Sequence, residues 1–116
     1  MFYKVALWID DVRPVPANYT KNIMLNVNRV IWCRSVHEAI TEFLDWSEQE
    51  DSDVYVIDLD HDAGDFAFDG GDYINFLNWM EMEGFDFTRF TWRIHSMNPV
   101  GVQNMLAILR RNGVEC

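Results

Sequence analysis

Three short stretches of this chain place acids, imidazoles or a hydroxyl directly behind an apolar run. Asp10 and Asp11 follow Val5-Ala6-Leu7-Trp8-Ile9. Asp60, His61 and Asp62 close the run that starts at Val54. His95 and Ser96 follow Phe90-Thr91-Trp92-Arg93-Ile94. Carboxylates gathered at one spot are hard oxygen donors of the kind Mg²⁺ or Mn²⁺ prefers, and these ions leave positions open for a phosphate. Burying such acids together is costly unless a cation or hydrogen-bond donors compensate. Asp10, Asp11, Asp60 and Asp62 are therefore the candidate metal ligands. The same residues would otherwise be polar loop positions making Asx turns. Imidazole titrates near neutral pH, so His61 and His95 are candidate general acid and base beside Asp60. Ser96 and Asn98 precede a helix start, whose free N–H groups favour an anion, and Arg13 could clamp a phosphate with two donors. Asn98 is also a plain N-cap candidate. Asp58 and Asp69 are read as structural, and His37 as an exposed helix residue.

The elements that must position these groups follow from the pattern. Residues 3–9 and about 53–59 are apolar, β-branched runs, as in strands buried on both faces. Arg29–Cys33 is a short strand. Residues 89–95 alternate, with Phe90, Trp92 and Ile94 on one side, as in a half-buried edge strand. Ser35 with Glu38 forms a capping box ahead of a helix that ends near 46–49. A second helix is expected from about Asp72 to Gly84. A third starts behind Asn98-Pro99 and stops at Gly113. Between the first two strands, residues 17–28 lack helical periodicity and carry prolines upstream. They read as a long loop with room for one helical turn, where a crossover helix would be usual. Val114–Cys116 is at most the stub of a fifth strand. This order predicts an α/β, flavodoxin-like three-layer parallel sheet of order 2-1-3-4, with the fifth strand reduced or missing. In that order the strands ending at Asp10, Asp60 and His95 are neighbours, and their carboxyl ends form one site.

The 116 residues form a single domain, 1–116, with 15% aromatic residues and enough apolar content for a core. A net charge of −10 argues against general nucleic-acid binding, because few cations are available to neutralise phosphates. It is compatible with a small phosphorylated ligand held through a metal. No apolar run is long enough to span a bilayer, and no signal peptide is read at the start. Two cysteines without metal-type spacing suit a reducing cytoplasm, the expected location. The open edge of the strand at 89–95 makes a homodimer through that edge an expectation.

Four motifs together resemble a known family. They are Leu7-Trp8-Ile9-Asp10-Asp11-Val12-Arg13-Pro14, Asp58-Leu59-Asp60-His61-Asp62, Asp69-Gly70-Gly71, and His95-Ser96-Met97-Asn98-Pro99-Val100-Gly101-Val102-Gln103-Asn104-Met105. They look like the cyclic-phosphate-processing receiver-like domains, which are related to response-regulator receivers. The resemblance implies a receiver-like fold, a Mg²⁺-binding acid pair at Asp10 and Asp11, an acceptor-type acid at Asp60 and the strand-four hydroxyl at Ser96. It also implies metal-dependent processing of a cyclic phosphate, with a nucleotide or an ADP-ribose derivative as possible carriers. Receivers carry a lysine behind strand five. Here the only lysines are Lys4 and Lys21, so phosphorelay signalling is disfavoured. A metal-dependent sensing domain that binds without turnover is the alternative.

Overall fold

The computed structural model describes residues 1–116. Four parallel strands, β1 (Tyr3–Ile9), β2 (Arg29–Cys33), β3 (Ser52–Leu59) and β4 (Thr91–Ile94), lie in the order β2-β1-β3-β4. Three helices, α1 (Val36–Glu48), α2 (Ile74–Glu83) and α3 (Pro99–Arg111), alternate with them. This is the expected receiver-like, flavodoxin-like α/β arrangement. Residues 114–116 add no strand, so β4 is the sheet edge. No helix is long and apolar enough to cross a membrane.

Strand alternation sorts the sheet into two faces. Val5, Leu7, Ile9, Ile57 and Leu59 point to one face, where all three helices cover them. Phe43 of α1 sits at the centre, edge-on to Phe76, Phe85 and Phe90. Ala6, Trp8 and Val56 point to the other face. No helix covers that face. The third layer is the segment between β1 and β2, whose Tyr19, Leu25 and Val27 pack onto it around one 3₁₀ turn at Tyr19–Lys21. The aperiodic stretch thus supplies a buried Tyr, Leu and Val without a helix.

One irregularity sets the register. Val5 lies opposite Val54, but Ala6 lies opposite Val56, so Tyr55 is an extra residue in β3. Beyond this bulge Ile9 pairs with Leu59, which brings Asp10 level with Asp60. Without it Asp10 would face the position before Asp60, with the opposite side-chain direction.

The helix ends follow local chemistry. The Glu38 N–H donates to Ser35 Oγ at 3.0 Å, as the capping box requires. α3 begins at Asn98, whose Oδ1 accepts the Gly101 N–H at 3.0 Å, with Pro99 at the first helical position. α2 starts at Ile74 instead of Asp72. The Asp72 carboxylate is engaged by the Ala63 N–H at 2.9 Å, and the Tyr73 N–H donates to the His61 carbonyl at 2.9 Å. These two residues tie the preceding loop down before the helix can begin. β4 is shorter at its start than the alternation suggests, because Asp86 caps a 3₁₀ turn over Phe87–Arg89.

α2 and α3 are clamped by Arg111, which donates twice to Glu81 at 2.7 Å, and by Asn112 at 2.6 Å. These donors hold the Glu81 carboxyl down at about 2, below its ordinary 4.5. A carboxyl lowered in the folded state contributes stability above its unfolded value and loses it as pH falls through its folded value. Glu81→Gln is expected to flatten the acid limb of the stability profile between about pH 4.5 and about pH 2. Urea midpoints across that range check this.

Candidate functional site

The site is assembled by one repeated device. The first residue past each of three strands donates its N–H to the neighbouring strand. Asp10 donates to Cys33 at 3.1 Å, Asp60 to Ile9 at 2.9 Å and His95 to Leu59 at 3.0 Å. The chain is still pinned to the sheet where the functional side chains begin, which fixes their directions.

Asp10 is fully buried. Its Oδ1 accepts the N–H groups of Val12 at 3.0 Å and Arg13 at 2.8 Å, and its Oδ2 lies 2.9 Å from His95 Nε2. Burial pushes the Asp10 carboxyl up, but these donors outweigh it and hold it below the usual range. Asp60 is buried and accepts the His61 N–H at 2.8 Å. Asp11 is half-buried, and burial together with the charges of Asp10 and Asp60 raises its carboxyl. One oxygen from each of Asp10, Asp11 and Asp60 lies within 4.8 Å of the others. Three hard oxygens so close, with one carboxyl already strained toward its neutral form, fit a small divalent cation such as Mg²⁺ or Mn²⁺.

Asp62 does not join them. Strand periodicity ends at Asp60, and the following turn carries His61 and Asp62 toward the start of α3. There Asp62 Oδ1 lies 2.7 Å from His61 Nδ1 and accepts from Asn98 Nδ2 at 3.3 Å. His61, Asp62 and Asp72 form a separate group. The expected acid quartet is therefore a triad plus a residue that orients His61.

The two histidines have different surroundings. The His61 ring is mostly covered, with Nδ1 on Asp62 and no hydrogen bond at Nε2. The His95 ring is held at both nitrogens: Nε2 by Asp10, and Nδ1 by Asp58 at 2.6 Å. It also stacks on Trp8, centroids 3.9 Å apart. Burial alone would lower the His95 value, but the two carboxylates raise it above the ordinary imidazole range. Arg13 Nη1 donates to the His95 carbonyl at 3.1 Å, leaving its other donors at the rim. Ser96 Oγ accepts the Asn98 N–H at 3.1 Å, so its own O–H remains available to donate.

Asp58, read from sequence as structural, holds a network whose partners the sequence does not name. It is buried, and beyond His95 its second oxygen accepts the Tyr19 hydroxyl at 2.7 Å, with Arg93 at 3.7 Å. The signal was present in the period of two: Asp58 shares a strand face with Asp60, inside an apolar run. Asp69 is structural as expected, binding Ser35 Oγ at 2.6 Å and the exposed His37 at 2.9 Å. Lys4 stands at the opposite end of β1, near Asn26, and Lys21 lies in the 3₁₀ turn, so neither reaches the acids.

Gly101 shows how closely α3 approaches. A Cβ there would overlap the His61 ring. Alanine in place of a helical glycine usually stabilises by about 0.5–1 kcal/mol. Here the His61 ring is pinned by Asp62, and overpacking costs about 1–3 kcal/mol. Gly101→Ala is expected to destabilise the fold and shift the His61 ring resonances; thermal melts and an imidazole NMR spectrum check both.

Among known families, one described as the cyclic-phosphate processing receiver domain matches residues 5–111. No curated protein and no solved structure matches the chain.

Proposed function

This chain belongs to the cyclic-phosphate processing receiver domain family, and from that premise we propose that it hydrolyses a cyclic phosphodiester, carried on a nucleotide or an ADP-ribose derivative, with a divalent metal. The observation that carries this reading is the convergence of Asp10, Asp11 and Asp60 oxygens within 4.8 Å. Mg²⁺ or Mn²⁺ held there would polarise a phosphoryl oxygen and offset the charge that develops on it. The remaining work falls to the chain. Arg13 and the Ser96 hydroxyl, at the rim, orient the phosphate. His61, with Nδ1 held by Asp62 and Nε2 free, takes the proton of the attacking water. The new P–O bond forms as one ring P–O bond breaks, and the departing oxygen receives a proton from the same imidazole. His95, engaged at both nitrogens, fixes Asp10 and is less free to move protons than its sequence position suggests. A cytoplasmic location is part of this reading, supported by two cysteines that form no disulfide.

A second reading, metal-dependent binding without turnover, is favoured by that same engagement of His95 and by the capping duties of Ser96 and Asn98. A panel of 2′,3′-cyclic nucleotides and ADP-ribose cyclic phosphate, tested with Mg²⁺ or Mn²⁺, separates the two. Metal-dependent product that disappears in Asp60→Asn supports hydrolysis. Ligand binding with no product supports the sensing domain.

A further inference from the structure

The third layer of the fold stops short of β4. Beneath the edge of the segment between β1 and β2 it leaves a cavity of about 450 Å³, lined on one side by Asn18, Tyr19 and Asn22 and on the other by Trp8, Arg93 and His95. This volume is in the range of small-molecule sites. The cavity is separated from the acid triad by one imidazole: His95 lines it and touches Asp10 through Nε2. The postulated mechanism leaves it unused.

Its chemistry is specific. The one carboxylate in its wall, Asp58, is engaged by the Tyr19 hydroxyl and His95 Nδ1 and lies 3.7 Å from Arg93, so the charges in the wall offset one another. The free polar groups are two neutral amides and the half-exposed Arg93 guanidinium, which makes no hydrogen bond. Asn18 makes no side-chain cap hydrogen bond, and Asn22 uses only Oδ1, to accept the Met24 N–H at 3.1 Å. Apolar surface from Pro16, Leu25 and Ile94 completes the lining. A second anionic group would meet the Asp58 carboxylate and compete with it for Arg93, within a chain of net charge −10. A flat, uncharged heterocycle with donors and acceptors on its edge would meet amides and apolar walls together.

We infer that this cavity is a base subsite: the substrate is a nucleoside cyclic phosphate whose phosphate lies at the acids and whose nucleobase enters the cavity. This rests on the proposed cyclic-phosphate reading and names the class of molecule that carries the phosphate. The segment that replaces a crossover helix then has a purpose, since a helix over β1 and β3 would fill the space.

Calorimetry with Mg²⁺ tests it, comparing adenosine and cytidine 2′,3′-cyclic phosphates with the base-free 1-O-methylribose 2,3-cyclic phosphate. At least one nucleoside ligand is expected to bind tenfold or more tightly than the base-free one. Ala17→Trp fills the cavity mouth from an exposed position, and Asn18→Ala removes a free amide; each is expected to reduce that ratio toward one. Ala17 and Asn18 are both surface positions, so neither variant threatens the core. Equal affinity for both ligand classes overturns the subsite and leaves hydrolysis standing. A base preference that survives Ala17→Trp also overturns it. Base-dependent binding without turnover keeps the subsite and removes hydrolysis. No binding by any of the three ligands overturns both.

Discussion

Asp58→Ala is expected to destabilise the fold by about 3–5 kcal/mol, the cost typical of removing one partner from a buried charged network. Three groups lose their acceptor at once. The Tyr19 hydroxyl loses a 2.7 Å bond and Arg93 its nearest carboxylate. The His95 ring loses at Nδ1 the shorter of its two carboxylate contacts, 2.6 Å against 2.9 Å at Nε2. The loss falls toward the lower end because His95 can shed its proton, and because the adjoining cavity can admit water to the orphaned hydroxyl. Asp58→Asn should cost less, since the amide keeps one carbonyl acceptor in the same place. Denaturant midpoints for Asp58→Ala, Tyr19→Phe and the variant carrying both close a double-mutant cycle, with a coupling of about 0.5–3 kcal/mol expected between Tyr19 and Asp58. A loss under about 1 kcal/mol for Asp58→Ala would mean that the network is solvated and that Trp8 and Asp10 seat His95 without it.

Why the partners of Asp58 are not legible from sequence is a matter of which interactions are periodic. The convergence of Asp10, Asp60 and His95 follows from strand order, and strand order follows from apolar runs that any chain of this pattern must bury. The partners of Asp58 obey no such rule. Tyr19 comes from a segment with no period at all, and its position depends on how that segment folds back over Trp8. The bulge at Tyr55 is equally silent, since an extra residue in a strand leaves a run of β-branched and aromatic side chains looking continuous. Asp62 stands two residues from Asp60, and a strand that continued would keep it on the same face. The strand ends first, and the turn that follows sends it to Asn98 instead. The caps at Ser35 and Asn98 were legible because each is a local bond between residues three apart.

Asp60→Asn is expected to change stability in opposite senses with and without metal. In the metal-free protein three carboxylates crowd within 4.8 Å, and Asp11 is pushed toward its neutral form by burial and by both neighbours. Replacing Asp60 by the isosteric amide removes one of those charges while its oxygen can still accept the His61 N–H. The variant should therefore melt at or above the wild-type temperature in a chelator. Saturating Mg²⁺ or Mn²⁺ reverses the order. A ligand at about 100 times its dissociation constant stabilises the folded state by about 2.7 kcal/mol, on the order of 10 °C for a domain of this size. Wild type should gain that increment and Asp60→Asn little of it. Asp10→Asn provides the contrast. Asp10 holds two backbone N–H groups and His95, so its loss should lower the melting temperature in chelator as well. Paired melts of the three proteins, with chelator and with metal, read all these signs. A wild type that gains nothing from either metal would make the triad a set of polar strand ends. A gain retained in Asp60→Asn would move the cation to the other acid group, His61, Asp62 and Asp72, and with it the phosphate.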